Sequence, residues 1–75
     1  MASVDKLIEK MHNQPNGVRI EELDKVLKAF GYILDRQKGS HRQYLNNQTG
    51  DLITIKQENP VKKVYITDVL ERIGR

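Results

Sequence analysis

"YILDRQKGSHRQYLNNQTGDLITIKQ", residues 32–57, is the stretch that decides the fold. It divides into three short runs, 32–38, 41–47 and 51–57, rich in β-branched or aromatic residues and parted by the turn signals KGS and NQTG. Three strands in immediate succession, joined by turns this short, predict an antiparallel meander. In the third run a period of two sends Ile53 and Ile55 to one face and Leu52, Thr54 and Lys56 to the other. One face is therefore expected to cover helices, and the other to stay in water.

Working outward, the period changes to that of a helix on both sides. Upstream, "VRIEELDKVLKAFGY" carries Ile20, Leu23, Val26, Leu27 and Phe30 as an apolar stripe, with Glu21, Glu22, Asp24, Lys25 and Lys28 outside it. Acidic residues come first and lysines last, which suits the helix dipole, and Gly31 supplies the stop. Downstream of Pro60, "VKKVYITDVLERIG" reads as a helix over 64–73, with Val64 or Tyr65, Ile66, Val69, Leu70 and Ile73 inward. "SVDKLIEKMHN" places Val4, Leu7, Ile8 and Met11 on one side of a further helix over 3–12, capped by Ser3, and "NQPNG" at 13–17 is a loop. The predicted class is α+β with two layers: a three-stranded antiparallel sheet within 32–57, packed against helices within 20–30 and 64–73, with one extra helix in front. Residues 1–75 read as one domain, of which 1–17 are the additional helix and loop and 18–75 the core.

A chain of 75 residues with three Tyr, one Phe and no Trp builds a thin core. Chemistry is expected on an open surface, because a deep cofactor pocket needs more protein around it. The absence of cysteine excludes disulfides and thiolate metal sites and fits a reducing compartment. "MASVDKLIEKMHN" is charged and interrupted, unlike a signal peptide or a membrane span, so a soluble, cytoplasmic protein is expected. There is no Walker loop, no GxGxxG and no His/Asp/Glu set at metal-ligand spacing. No cofactor and no metal are expected.

The net charge of +3 is unevenly spread: residues 36–63 hold six Lys/Arg against two Asp/Glu, whereas 1–35 hold five against six. A local cationic surface favours a polyanion, and nucleic acid is the commonest in a cytoplasm. Within that segment Arg36, Lys38 and Arg42 surround a Gly39-Ser40 turn that leads into His41. An imidazole titrating near neutral pH takes or gives a proton, and flanking cations hold a phosphodiester. Those are the minimal needs of RNA cleavage, with a second group or water completing the proton transfers. Read locally, the better fit for His41 is a surface residue at a turn. His12, near the end of the first helix, is expected to cap a carbonyl there. Tyr44 is either a base-stacking group or core, and core is the better fit on a strand. Lys62 and Lys63, just before the last helix, either extend a nucleic-acid groove or are solvated.

"GYILDRQKGSHRQY", followed by "TGDLITI" and a final short helix, resembles the HicA family of type II toxin–antitoxin systems. The resemblance covers about residues 20–74 and is strongest over 30–55. It implies a double-stranded-RNA-binding-domain-like fold and a metal-independent endoribonuclease that cleaves mRNA, held inactive by a HicB-type antitoxin protein. It places the catalytic histidine of the family on His41, its glycine and serine on Gly39 and Ser40, and its basic positions on Arg36 and Lys38. Arg42 stands where many members have a second histidine or an apolar residue. Two rival readings stay open at this level: a non-catalytic RNA-binding module, and an interaction protein whose cationic face serves an acidic partner.

Overall fold

The computed structural model describes residues 3–75. The order of elements is helix α1 (Val4–Asn13), helix α2 (Ile20–Ala29), strands β1 (Tyr32–Lys38), β2 (His41–Asn46) and β3 (Leu52–Lys56), and helix α3 (Lys63–Ile73). The strands form one antiparallel sheet in the order β1-β2-β3, as a meander requires. The expected architecture and all three strands are present, and the helix ends fall within one residue of those expected.

Local contacts mark the start of α1 and both ends of α2. The Ser3 hydroxyl accepts from the Lys6 N–H at the head of α1. At α2 the Glu22 carboxylate accepts from the Arg19 N–H at 2.9 Å, and the Asn59 side chain accepts from the Ile20 N–H at 2.8 Å. Glu22 also takes Lys10 Nζ at 2.8 Å, tying α1 to α2. Gly31, at φ 91°, turns the chain from α2 into β1 in a conformation that side chains with a Cβ rarely adopt.

The helices cover one face of the sheet. Leu7, Ile8 and Met11 of α1, Leu23, Val26 and Leu27 of α2, Tyr32, Tyr44, Ile53 and Ile55 of the sheet, and Ile66 and Val69 of α3 share one core. Val18 and Val61 join it from loops held together by the Val61 N–H donating to the Val18 carbonyl. Buried Asn46 closes the end of the sheet away from the Gly39-Ser40 turn. Its Nδ2 donates to the Phe30 carbonyl, and its Oδ1 accepts from the N–H groups of Gln48 and Thr49. Among the described residues no helix covers the opposite face of the sheet, and Ile33, Leu52, Thr54, Lys38 and His41 are exposed on it.

Candidate active site on the open face of the sheet

The β1–β2 connection is a two-residue loop, Gly39-Ser40, between the paired residues Lys38 and His41. Gly39 has φ 59° and Ser40 has negative φ, the pattern of a type II′ hairpin turn. This tight turn brings His41 directly opposite Lys38, with side chains on the same face. The Ser40 carbonyl accepts from the Gln57 N–H, so the turn is anchored to the chain leaving β3. The Gln37 amide donates to the Gly39 carbonyl and to the Gln57 side chain.

A bulge in β1 sets which cations accompany the histidine. Leu34 pairs with Tyr44 and Arg36 with Gln43, leaving Asp35 as the extra residue. Strict alternation from inward-facing Tyr32 would point Arg36 and Lys38 at the helices. The inserted residue reverses the phase, and both join His41 on the open face. Together Arg36, Lys38, Gly39, Ser40, His41 and Gln43 line a cleft of about 570 Å³. Five of these were expected from the sequence to belong together. Gln43 was not, and its only signal is its place two residues after His41 on a strand.

Three paired rows cross the open face. Lys38, His41 and Lys56 form the row nearest the turn, Arg36, Gln43 and Thr54 the next, and Ile33, Leu45 and Leu52 the last. The face is thus cationic at the turn and apolar at its other end, where Ile33 and Leu52 are nearly half exposed.

Arg42 corrects an expectation. It does not stand with Arg36 and Lys38, because alternation along β2 turns it to the helix side with Tyr44. There its Nη1 donates to the Tyr44 hydroxyl at 3.0 Å and lies 3.8 Å from Asp24 Oδ1. The Tyr44 hydroxyl donates in turn to Asp24 at 2.7 Å, and Lys28 Nζ approaches the other carboxylate oxygen at 2.9 Å. Burial, then the bond to Asp24, push the Tyr44 phenol up to about 12. For Asp24, burial alone would raise the carboxyl. The bonds from Tyr44 and Lys28 and the charges of Lys28 and Arg42 outweigh it and hold the group below its ordinary range.

The other expected residues lie elsewhere. Lys62 and Lys63 are exposed at the start of α3 and do not line the cleft. Tyr44 is fully buried and cannot stack a base. His12 does meet a carbonyl through Nε2, at 3.0 Å, but that of Arg75 rather than one of its own helix. Among the described residues no group of three or more His, Asp or Glu side chains is placed to hold a metal ion, and no helix is long and apolar enough to cross a membrane.

No curated protein and no solved structure matches this chain significantly. A family model does: that of the HicA toxin of bacterial toxin–antitoxin systems, over residues 20–74. The match begins at the first residue of α2 and takes in the whole sheet, the His41 cleft and α3, leaving out α1. Spanning well over half of the sequence, it shows that the chain belongs to the HicA toxin family.

Proposed function

We propose that this protein is an endoribonuclease that cleaves mRNA without a metal ion, acts in the cytoplasm and is inhibited by a HicB-type antitoxin. The observation that carries the reading is the placement of exposed His41 in an open cleft beside Arg36 and Lys38. A polynucleotide needs an open site, and this face of the sheet is free of helices. The imidazole takes the proton of a ribose 2′-hydroxyl, whose oxygen attacks the adjacent phosphorus. The P–O5′ bond breaks, leaving a 2′,3′-cyclic phosphate, and the departing 5′-oxygen takes a proton from water at the cleft mouth. Arg36 and Lys38 stabilise the charge that gathers on the phosphoryl oxygens. The Gly39 and Ser40 backbone lets the phosphate approach the turn closely.

Membership of a toxin family supports an antitoxin as partner. A protein that covers the cleft also reaches the neighbouring row of Ile33, Leu45 and Leu52, whose exposed apolar surface gives it area to bury.

Incubating the protein with mRNA in excess EDTA tests the reading. Cleavage products ending in 2′,3′-cyclic phosphate are expected, and added antitoxin should suppress them. Retardation of RNA without cleavage would favour a binding module, and neither effect would leave the cationic face to an acidic protein.

A further inference from the structure

We infer that Lys56 holds a second phosphate of the substrate, one nucleotide away from the scissile one, so that RNA runs across the strands instead of along them. The inference rests on the ribonuclease reading and adds to it a binding subsite and a direction. His41 pairs with Lys38 on one side and with Lys56 on the other. Directly paired residues present their side chains on the same face, so the imidazole stands between two ammonium groups. Two strand spacings separate the lysine backbones by about 10 Å. The cleft occupies the β1 side of this row, leaving Lys56 beyond the histidine, outside the space a scissile phosphate would fill.

The charge pattern fixes the direction. Along the strands, away from the turn, Arg36 belongs to the cleft of the scissile phosphate, and beyond its row the face changes to Ile33, Leu45 and Leu52, which offer a further phosphate nothing. Across the strands the row continues from one lysine to the other. Lys56 is free to serve: its side chain is 41% exposed, and its ion pair with Glu58 is long, at 3.8 Å. Glu58 is the carboxylate that a phosphate must displace from Lys56.

The test compares two substrates and three single variants, with a binding readout in the His41→Ala background. A dinucleoside monophosphate carries the scissile phosphate alone, whereas an oligoribonucleotide also carries its neighbours. Lys56→Ala should raise KM for the oligoribonucleotide about tenfold, the worth of one charge-assisted hydrogen bond, with kcat unchanged. Cleavage of the dinucleotide should not change. Lys56→Arg should restore the KM, and Lys6→Ala, which removes the same charge from α1, should alter neither substrate. Equal losses on both substrates would place Lys56 at the reacting phosphate, and no loss on either would remove it from the path; both outcomes overturn the inference. Binding of the oligoribonucleotide to His41→Ala, with and without Lys56→Ala, gives a readout free of catalysis. A wild-type protein that cuts nothing would sink the ribonuclease reading, while this binding comparison would still decide the subsite: a tenfold weakening upholds it, and none overturns it.

Discussion

His41 and Arg42 are neighbours in sequence and stand on opposite faces of the sheet. His41 is exposed on the helix-free face and lines the cleft, while Arg42 bonds Tyr44 beneath it and approaches Asp24. The alternation of a strand thus sends the two residues to different places, one into the open cleft and the other to the contact between α2 and β2.

Arg42→Ala should therefore read as a stability variant. Asp24 keeps Tyr44 and Lys28, so the loss is partial, about 1–2 kcal/mol. For a domain of this size that lowers Tm by roughly 4–8 °C for each kcal/mol. Affinity for RNA, measured well below Tm, should stay within about twofold, whereas Lys38→Ala should weaken it for all sequences alike. A loss of affinity at Arg42 as large as that at Lys38 would return Arg42 to the binding surface.

Tyr44→Phe keeps the ring and removes the hydroxyl that links Arg42 to Asp24. The expected cost is about 1–3 kcal/mol, because half-buried Asp24 loses a donor. In a double-mutant cycle with Arg42→Ala the two losses should sum to more than the double variant shows, since both act on one network.

The same network sets the response to pH. Asp24 titrates below its ordinary range when folded, so its stabilisation is present above that range and lost as pH falls through the lowered value. Unfolding midpoints should be level from about pH 5 to neutrality and drop below about pH 4. Asp24→Asn should flatten part of that drop. At the alkaline end the sign reverses. The phenols of Tyr44 and Tyr32 are pushed up to about 12, each first by burial and then by a bond to a carboxylate, Asp24 and Asp51 respectively. Their stabilisation is present below about pH 10, the ordinary phenol value, and is lost as pH rises toward 12. Phenolate absorbance should show two tyrosines ionising late, together with unfolding.

The meander, the helices and the core were legible because each rests on a local signal: two turns, two periods and a glycine stop. The cleft was legible in part. Gly39, Ser40 and His41 are contiguous, so a turn brings them together wherever the strands lie. Arg36 reaches the cleft for a reason the sequence does not display, the extra residue Asp35 that reverses the phase of β1. A bulge leaves no signature when the partner strand is unknown. Arg42 could have been placed: if Tyr44 faces the core, so does the residue two before it. Lys56 depends on register, since nothing in "ITIK" says which residue of β2 it will meet.

RNA affinity should fall with salt in proportion to the cations that touch phosphate. On the proposed path Arg36, Lys38 and Lys56 would make three contacts, and at about 0.7 per contact for a single strand the log–log slope should be about −2. Removing any one should make it shallower by about 0.7, and Lys62→Ala with Lys63→Ala should leave it unchanged, because those lysines lie outside the cleft. A slope that responds to Lys62 and Lys63 as strongly as to Lys38 would extend the RNA path to the start of α3.

His41→Ala separates chemistry from structure most sharply. The side chain is exposed on a face without helices, so its removal takes nothing from the core, and Tm should move by no more than a surface substitution does. Arg36 and Lys38 remain, so RNA should still bind with nearly the same salt slope. The antitoxin should also still bind, because the row of Ile33, Leu45 and Leu52 is untouched. Cleavage should fall about 10²–10⁴-fold, the usual worth of a positioned proton-transfer group. Growth inhibition on expression should fall with it. Lys38→Ala gives the contrasting pattern, with weaker binding, a shallower salt slope and cleavage that recovers partly at high RNA concentration. Near-normal cleavage by His41→Ala would move the chemistry to another group. A collapse of Tm would show that the imidazole holds the turn between β1 and β2 in place of acting on RNA.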